Sequence, residues 1–129
     1  MPTKVVSSPI GNYDDDPREH LEDVFFNYDR ADLRSDAQEA VTKDAAYLVS
    51  RPDIKITLAG YADERGSAEY NIALGLQRAI STRDALIAAG VDGARIQVLS
   101  YGKEKPFCTE EVESCYQQNR RAQFVIDSK

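Results

Sequence analysis

Between a run that reads as a buried strand and one that reads as a helix, the chain carries GYADERGSAEYN (Gly60–Asn71), with three acids, Asp63, Glu64 and Glu69, and one arginine, Arg65. A carboxylate at such a junction can serve as a plain cap, satisfied by the first amides of the helix and by its dipole. It can equally accept from a ligand cation. In the helix that follows, Asn71, Gly75, Arg78 and Thr82 stack in one narrow stripe at 100° per residue. An acid at the helix start and Arg78 two turns along could together hold an ammonium and a carboxylate, which is how an amino-acid end group is recognised. Leu74 falls nearly opposite the expected core face, either as a single exposed leucine or as the apolar lip of a pocket.

Enzymatic signatures are thin. The sequence has no G-x-S-x-G elbow, no phosphate loop of the G-x-x-x-x-G-K type and no dinucleotide G-x-G-x-x-G. The one histidine, His20, lies in a polar stretch, and adjacent acids such as Asp63 and Glu64 do not face each other across a sugar as glycosidase chemistry requires. Tyr28, Tyr61, Tyr70 and Tyr101 could stack on a sugar but fit the rim of a core as well, and Lys103 and Lys105 of GKEKP read as a solvated turn. The two cysteines, Cys108 and Cys115, with one histidine make a poor zinc set, and either a local disulfide or two free thiols fits them. No metal and no cofactor is expected, and binding ranks well above hydrolysis.

The elements that must position these residues are marked by regular punctuation. Residues 1–20 are polar, with Pro2, Pro9, Pro17 and the acids Asp14–Asp16, and read as a flexible lead-in or tether; residues 21–129 read as one domain. Val24–Asp29 alternates as a strand. Ser35 with Gln38 suggests a capping box for a helix over Asp36–Ser50, with Ala37, Val41, Ala45 and Leu48 inward. Ile54–Tyr61 alternates as a second strand. Ser67 can cap a long helix over Ala68–Ala89, ended by Gly90, with Ile72, Leu76, Ala79, Arg83, Leu86 and Ile87 as its core face. Arg95–Tyr101 is a third strand, Thr109–Gln118 a short helix or ordered loop, and Arg121–Ile126 a fourth strand. This β-α-β-α-β-(α)-β order predicts an α+β two-layer sandwich, a small mixed sheet with helices on one face, in which ligands favour loops at strand carboxyl ends. Asp63 stands just past one such end.

At 129 residues the chain suffices for one core. With 16 basic and 22 acidic residues, net −6, it repels polyanions, which argues against nucleic acid. No apolar run approaches the roughly 20 residues of a membrane helix, and the start lacks the apolar stretch of a signal peptide.

Taken together, GYADERGSAEYN with L-x3-RA (Gly60–Ala79), GVDGARIQVLSYGKEKP (Gly90–Pro106), NRRAQ (Asn119–Gln123) and VFFNYDRADLRSDA (Val24–Ala37) closely resemble the OmpA-like peptidoglycan-binding domain, and within it the peptidoglycan-associated lipoproteins of Gram-negative bacteria. The likeness runs from about residue 20 to 127. It implies a non-catalytic module of the periplasm, at the outer-membrane side, that binds the diaminopimelate of the peptidoglycan stem peptide and so tethers the outer membrane to the wall. It assigns Asp63 to the ligand's ammonium and Arg78 to its carboxylate. Asn71, Arg120 and the Asn27-Tyr28-Asp29 segment complete the groove, and Leu74 would meet the ligand's aliphatic chain. Two positions depart from the family pattern: Tyr61 stands where histidine is usual, and Asn27 where aspartate is common. A periplasmic setting favours a Cys108–Cys115 disulfide. The lipid-bearing cysteine of such lipoproteins is absent here, so a membrane link would need an anchor outside this sequence. Envelope proteins, the Tol system among them, are further expected partners. The rival reading is a periplasmic protein–protein module using the same surface. Glu64, Arg65 and Glu69 read as a solvated turn and first helical turn.

Overall fold

A computed structural model describes residues 16–63, 65–103, 108–109 and 112–128. Its elements are a 3-10 turn Pro17–Glu19, β1 Val24–Phe25, α1 Ser35–Ser50, β2 Lys55–Tyr61, α2 Ala68–Ala88, a 3-10 turn Gly93–Arg95, β3 Ile96–Gly102, α3 Glu113–Asn119 and β4 Arg121–Ser128. They form an α+β fold on a four-stranded mixed sheet ordered β1-β4-β2-β3. β2 runs parallel to β3, joined by the α2 crossover, whereas β4 lies antiparallel to both β2 and β1. Being central, β2 is buried from Ile56 to Tyr61 on both faces rather than alternating.

Ile56, Leu58, Ile96, Ala122 and Phe124 from the sheet meet Ala37, Val41, Ala45 and Leu48 of α1 and Ala79 and Leu86 of α2 in a single core. Burying each large apolar side chain contributes about 1.5–3 kcal/mol. The inward face of α1 is the expected one, with Asp44 added to it. Its start differs: the N-cap position belongs to Arg34, which makes no side-chain cap, and Ser35 lies inside the first turn. Gln38 reaches back to Leu33 O at 3.2 Å and Arg34 pairs with Asp36 at 2.7 Å, so the capping box is not formed.

The larger correction concerns α2. Of the expected core face only Ala79 and Leu86 are buried, while Ile72 and Ile87 are 38% and 43% exposed. The buried face is instead Asn71, Gly75, Arg78, Ala79, Thr82 and Leu86, turned about 90° around the helix. The cause is a backbone contact: a Cβ on Gly60 would run into the Gly75 carbonyl, and one on Gly75 would sit 2.9 Å from Gly60 O. With glycine on both sides α2 lies directly on β2, and Ser100 Oγ ties it to β3 by donating to Ile72 O at 2.7 Å. The stripe that looked like a groove wall is therefore interior.

β1 is also shorter than Val24–Asp29. Only Val24 and Phe25 pair with β4, opposite Ala122 and Arg121. Phe26 then donates its N–H to Arg120 O, and the chain turns through Asn27–Arg30, closed by Arg30 N to Asn27 O at 3.2 Å and by Asp29 at φ 59. Of the expected lead-in, residues 1–15 lie outside the described residues. Asp16 caps the turn that follows, Pro17 is buried, and the His20 ring stacks on Tyr47 of α1 at 4.6 Å. A disulfide joins Cys108 to Cys115.

Candidate functional site

Asp63 leaves the carboxyl end of β2 and is only 4% exposed. Its Oδ1 accepts from the Arg65 backbone N–H at 3.1 Å and from Arg65 Nε at 3.3 Å, while Oδ2 meets Arg65 Nη2 at 2.6 Å. Arg120 Nη1 approaches the same oxygen at 3.4 Å. Burial alone pushes this carboxyl up, but the hydrogen bonds from Arg65, its charge and the Arg120 contact outweigh that and hold it below the ordinary aspartate range. Such a group is an acceptor at neutral pH and has no proton to deliver.

Arg120, the residue between α3 and β4, is itself buried. Its Nε donates to Phe26 O at 3.0 Å, and its Nη2 to Glu113 Oε2 at 2.6 Å and Gln117 Oε1 at 3.0 Å, both on α3. The Arg120 hydrogen bond holds the Glu113 carboxyl below its ordinary range. Arg65 lies between two aromatic faces, with its guanidinium carbon 4.0 Å from the Tyr28 ring centroid and 4.2 Å from that of Tyr116. The disulfide helps set α3, because Asn119 at its end brackets Cys108, accepting from its N–H at 3.1 Å and donating to its carbonyl at 2.8 Å.

Arg78 occupies the floor. It is 0% exposed, and it donates to three backbone carbonyls: Arg30 O at 2.8 Å, Tyr61 O at 2.9 Å and Asn27 O at 3.0 Å. Burial foremost, and then the charge of Arg120, lower its pKa to about 10, with Asp63 and Asp29 opposing. Asn71 is likewise a backbone tie, donating to Arg65 O at 2.7 Å and Ser67 O at 2.8 Å. It holds the turn that aims Arg65 at Asp63.

Asn27, Tyr28 and Asp29 are exposed on the turn above Arg78. Asn27 Oδ1 accepts from Arg34 Nη1 at 3.1 Å, and Asp29 makes no hydrogen bond among the described residues. Leu74 is half-buried: with the core face rotated it flanks Arg78 one turn away instead of pointing opposite the core. Tyr61 sends its hydroxyl to Gln123 Oε1 at 3.2 Å and its ring against Tyr101, on the sheet face away from α2, so only its carbonyl reaches the Arg78 floor. Glu64 and Lys105 lie outside the described residues, and Lys103 ties to Gly66 O at 2.9 Å. Sequence reasoning missed Arg65, which it set aside as solvated, and Glu113, Tyr116 and Gln117. The i, i+2 spacing of Asp63 and Arg65 was the only local hint, since the α3 residues arrive from 50 positions further on.

Among the described residues no group of three or more His, Cys, Asp or Glu could hold a metal ion, and no helix is long and apolar enough to cross a membrane. A cavity of about 810 Å³ between the 18–25 segment, α1 and β4 shares no residue with the Asp63 network.

A family model described as the OmpA family matches residues 25–120. The chain is 48% identical over 103 residues to a peptidoglycan-associated lipoprotein of Rhizobium meliloti, covering 80% of this chain and 58% of the relative. It spans about 58–62% of the length of the first curated relatives it matches. The crystal structure of the peptidoglycan-associated lipoprotein from Burkholderia pseudomallei superposes with a TM-score of 0.78 at 40% identity, over 81% of this chain and 89% of that one. The C-terminal domain of Helicobacter pylori MotB shares the fold, with a TM-score of 0.78 at 19% identity over 84% and 86% of the two chains.

Proposed function

The chain belongs to the OmpA family, and from that premise we propose that it is a non-catalytic module of the Gram-negative envelope that binds peptidoglycan through the diaminopimelate of the stem peptide. One observation carries the reading: a nearly buried carboxylate, Asp63, held below the ordinary aspartate range, stands at a strand end with its counter-cation between two tyrosines. That is a receptor for a cation on an aliphatic stem, and diaminopimelate offers one beside a carboxylate. The names of the relatives support the same polymer.

Asp63 accepts from the ligand ammonium, and Asp29 adds an exposed negative charge at the rim. Arg78 commits three of its five N–H groups to carbonyls, leaving two for a carboxylate that enters as the 27–30 turn yields. Asn71 and Arg120 hold the turn and the acid in place, Asn27 and Tyr28 supply the wall above, and Leu74 flanks the aliphatic stem. Placed in the periplasm on an anchored protein, such a module tethers the outer membrane to the wall.

Co-sedimentation with diaminopimelate-type sacculi tests this. Wild type goes down with the wall, free diaminopimelate releases it, and Asp63→Asn, nearly isosteric and still able to accept from Arg65, stays in the supernatant. Equal recovery of both proteins in the pellet would refute the assignment of Asp63.

A further inference from the structure

Both oxygens of Asp63 are already occupied by an arginine, but the two guanidiniums that reach it are not equivalent. Arg120 is 3% exposed and is tied to Phe26 O, Glu113 and Gln117. The Arg65 side chain is 37% exposed, and among the described residues it meets, apart from Asp63, the two tyrosine faces and Glu113 at a distant 3.9 Å. Asn71 pins the backbone of this turn at Arg65 O at 2.7 Å, so what can swing is the Arg65 side chain alone. Of the two cations, Arg65 is the one that can leave. A ligand ammonium that pairs with Asp63 must take the place this guanidinium holds.

On the wall-binding reading given above, we propose that Arg65 is a specificity-determining residue: it occupies the ammonium position in the free protein, is displaced by the ligand's cation, and then pairs with the ligand's carboxylate. A zwitterionic end group such as that of diaminopimelate replaces both halves of the broken pair, giving its ammonium to Asp63 and its carboxylate to Arg65, which shares that carboxylate with the two N–H groups Arg78 has left. A stem peptide ending in a plain lysine ammonium satisfies Asp63 but leaves the displaced guanidinium without a partner. The site thus separates two wall chemistries by charge pattern, and the separation resides in Arg65. The tyrosine slot contributes by letting the guanidinium slide between planar faces at small cost, keeping it near the ligand.

Titration of a diaminopimelate tripeptide and of its lysine counterpart into wild type, Arg65→Gln and Arg65→Lys tests this, with urea midpoints confirming that each variant is folded. Wild type is expected to favour the diaminopimelate peptide by roughly tenfold, the scale of one exposed ion pair with its ring contacts, and to bind the lysine peptide weakly because Asp63 is occupied in most molecules. Arg65→Gln should bind the lysine peptide better than wild type and lose most of the preference. Arg65→Lys, with a point charge and no planar fork, should fall between. If wild type binds the diaminopimelate peptide and Arg65→Gln keeps both the preference and the weak lysine binding, the role of Arg65 is overturned while the wall reading stands. If neither peptide binds wild type or Arg65→Gln, both fall.

Discussion

Replacing Arg78 by alanine is the most informative perturbation of the fold, because this side chain is at once fully buried, charged and bonded only to backbone. Three carbonyls, on Arg30, Tyr61 and Asn27, lose their donor. Hydrogen bonds to charged groups contribute about 1.5–3 kcal/mol each, so the gross loss is about 5–9 kcal/mol. Against this stands the cost of burying the guanidinium, visible as a pKa lowered to about 10, which at 1.36 kcal/mol per unit returns about 3 kcal/mol when the charge is removed. The net expectation is a loss of about 2–6 kcal/mol, of the order that breaking a buried charged contact costs. Urea unfolding followed by far-UV circular dichroism reads it as a fall in midpoint of roughly 1–3 M. Arg78→Met, which restores most of the volume and none of the bonds, should lose nearly as much. A loss below about 1 kcal/mol with an unchanged slope would refute the view that Arg78 holds the 27–30 turn on the end of β2. Loss of wall binding in Arg78→Ala would then report a loosened turn as much as a missing ligand contact, which is why Asp63→Asn is the sharper test of the site.

Asp44 is fully buried, with Oδ1 accepting from Glu22 N at 2.8 Å and Oδ2 without a partner among the described residues. Burial first, then the charges of Glu22 and Asp23, push its carboxyl up to about 7, opposed by the Glu22 N–H and Lys43. Since the folded-state pKa lies above the ordinary aspartate value, the native state binds the proton more tightly and stability falls as pH rises from about 4 to 7. Asp44→Asn should therefore gain about 1–3 kcal/mol at pH 8 and much less at pH 4.5, measured by urea midpoints at the two pH values. Gly60→Ala drives a methyl into the Gly75 backbone and should cost more than about 3 kcal/mol or prevent folding, as seen in soluble yield and melting temperature. Reducing Cys108–Cys115, a bridge across seven positions, should cost about 2–3 kcal/mol of stability on the chain-entropy model. It should also quicken amide exchange in α3, the helix that presents Glu113 and Tyr116. Wall binding should stay level from pH 8 to 5 and weaken only below the ordinary aspartate range, because Asp63 must be ionised and its pKa is depressed; a midpoint near pH 6 would contradict this.

Element type and order were legible from the chain itself, since period-two and period-3.6 patterns depend on local backbone geometry. The four strands, the two long helices and the Ser67 cap of α2, where Oγ accepts from Tyr70 N at 3.0 Å, all follow from them. So does the place of Asp63 at a strand end. Side-chain periodicity also predicted an apolar inward face for α2, and there the structure differs. Periodicity counts greasy residues but cannot see that Gly60 and Gly75, 15 positions apart, allow two backbones to touch. That contact turns α2 by about a quarter circle, buries Arg78 and sends Ile72 toward solvent. The same limit hid Arg65. Read locally it is a cation in a polar turn. Only the fold brings Tyr28 from before α1 and Tyr116 from α3 onto its two faces, and Arg120 beneath the acid they share. What the residues alone determined is the scaffold and the acid at its rim, because those depend on neighbours in the chain. Which cation that acid holds, and which arginine is free to let go of it, depends on burial and on partners brought together from distant positions, and only the tertiary structure decides that.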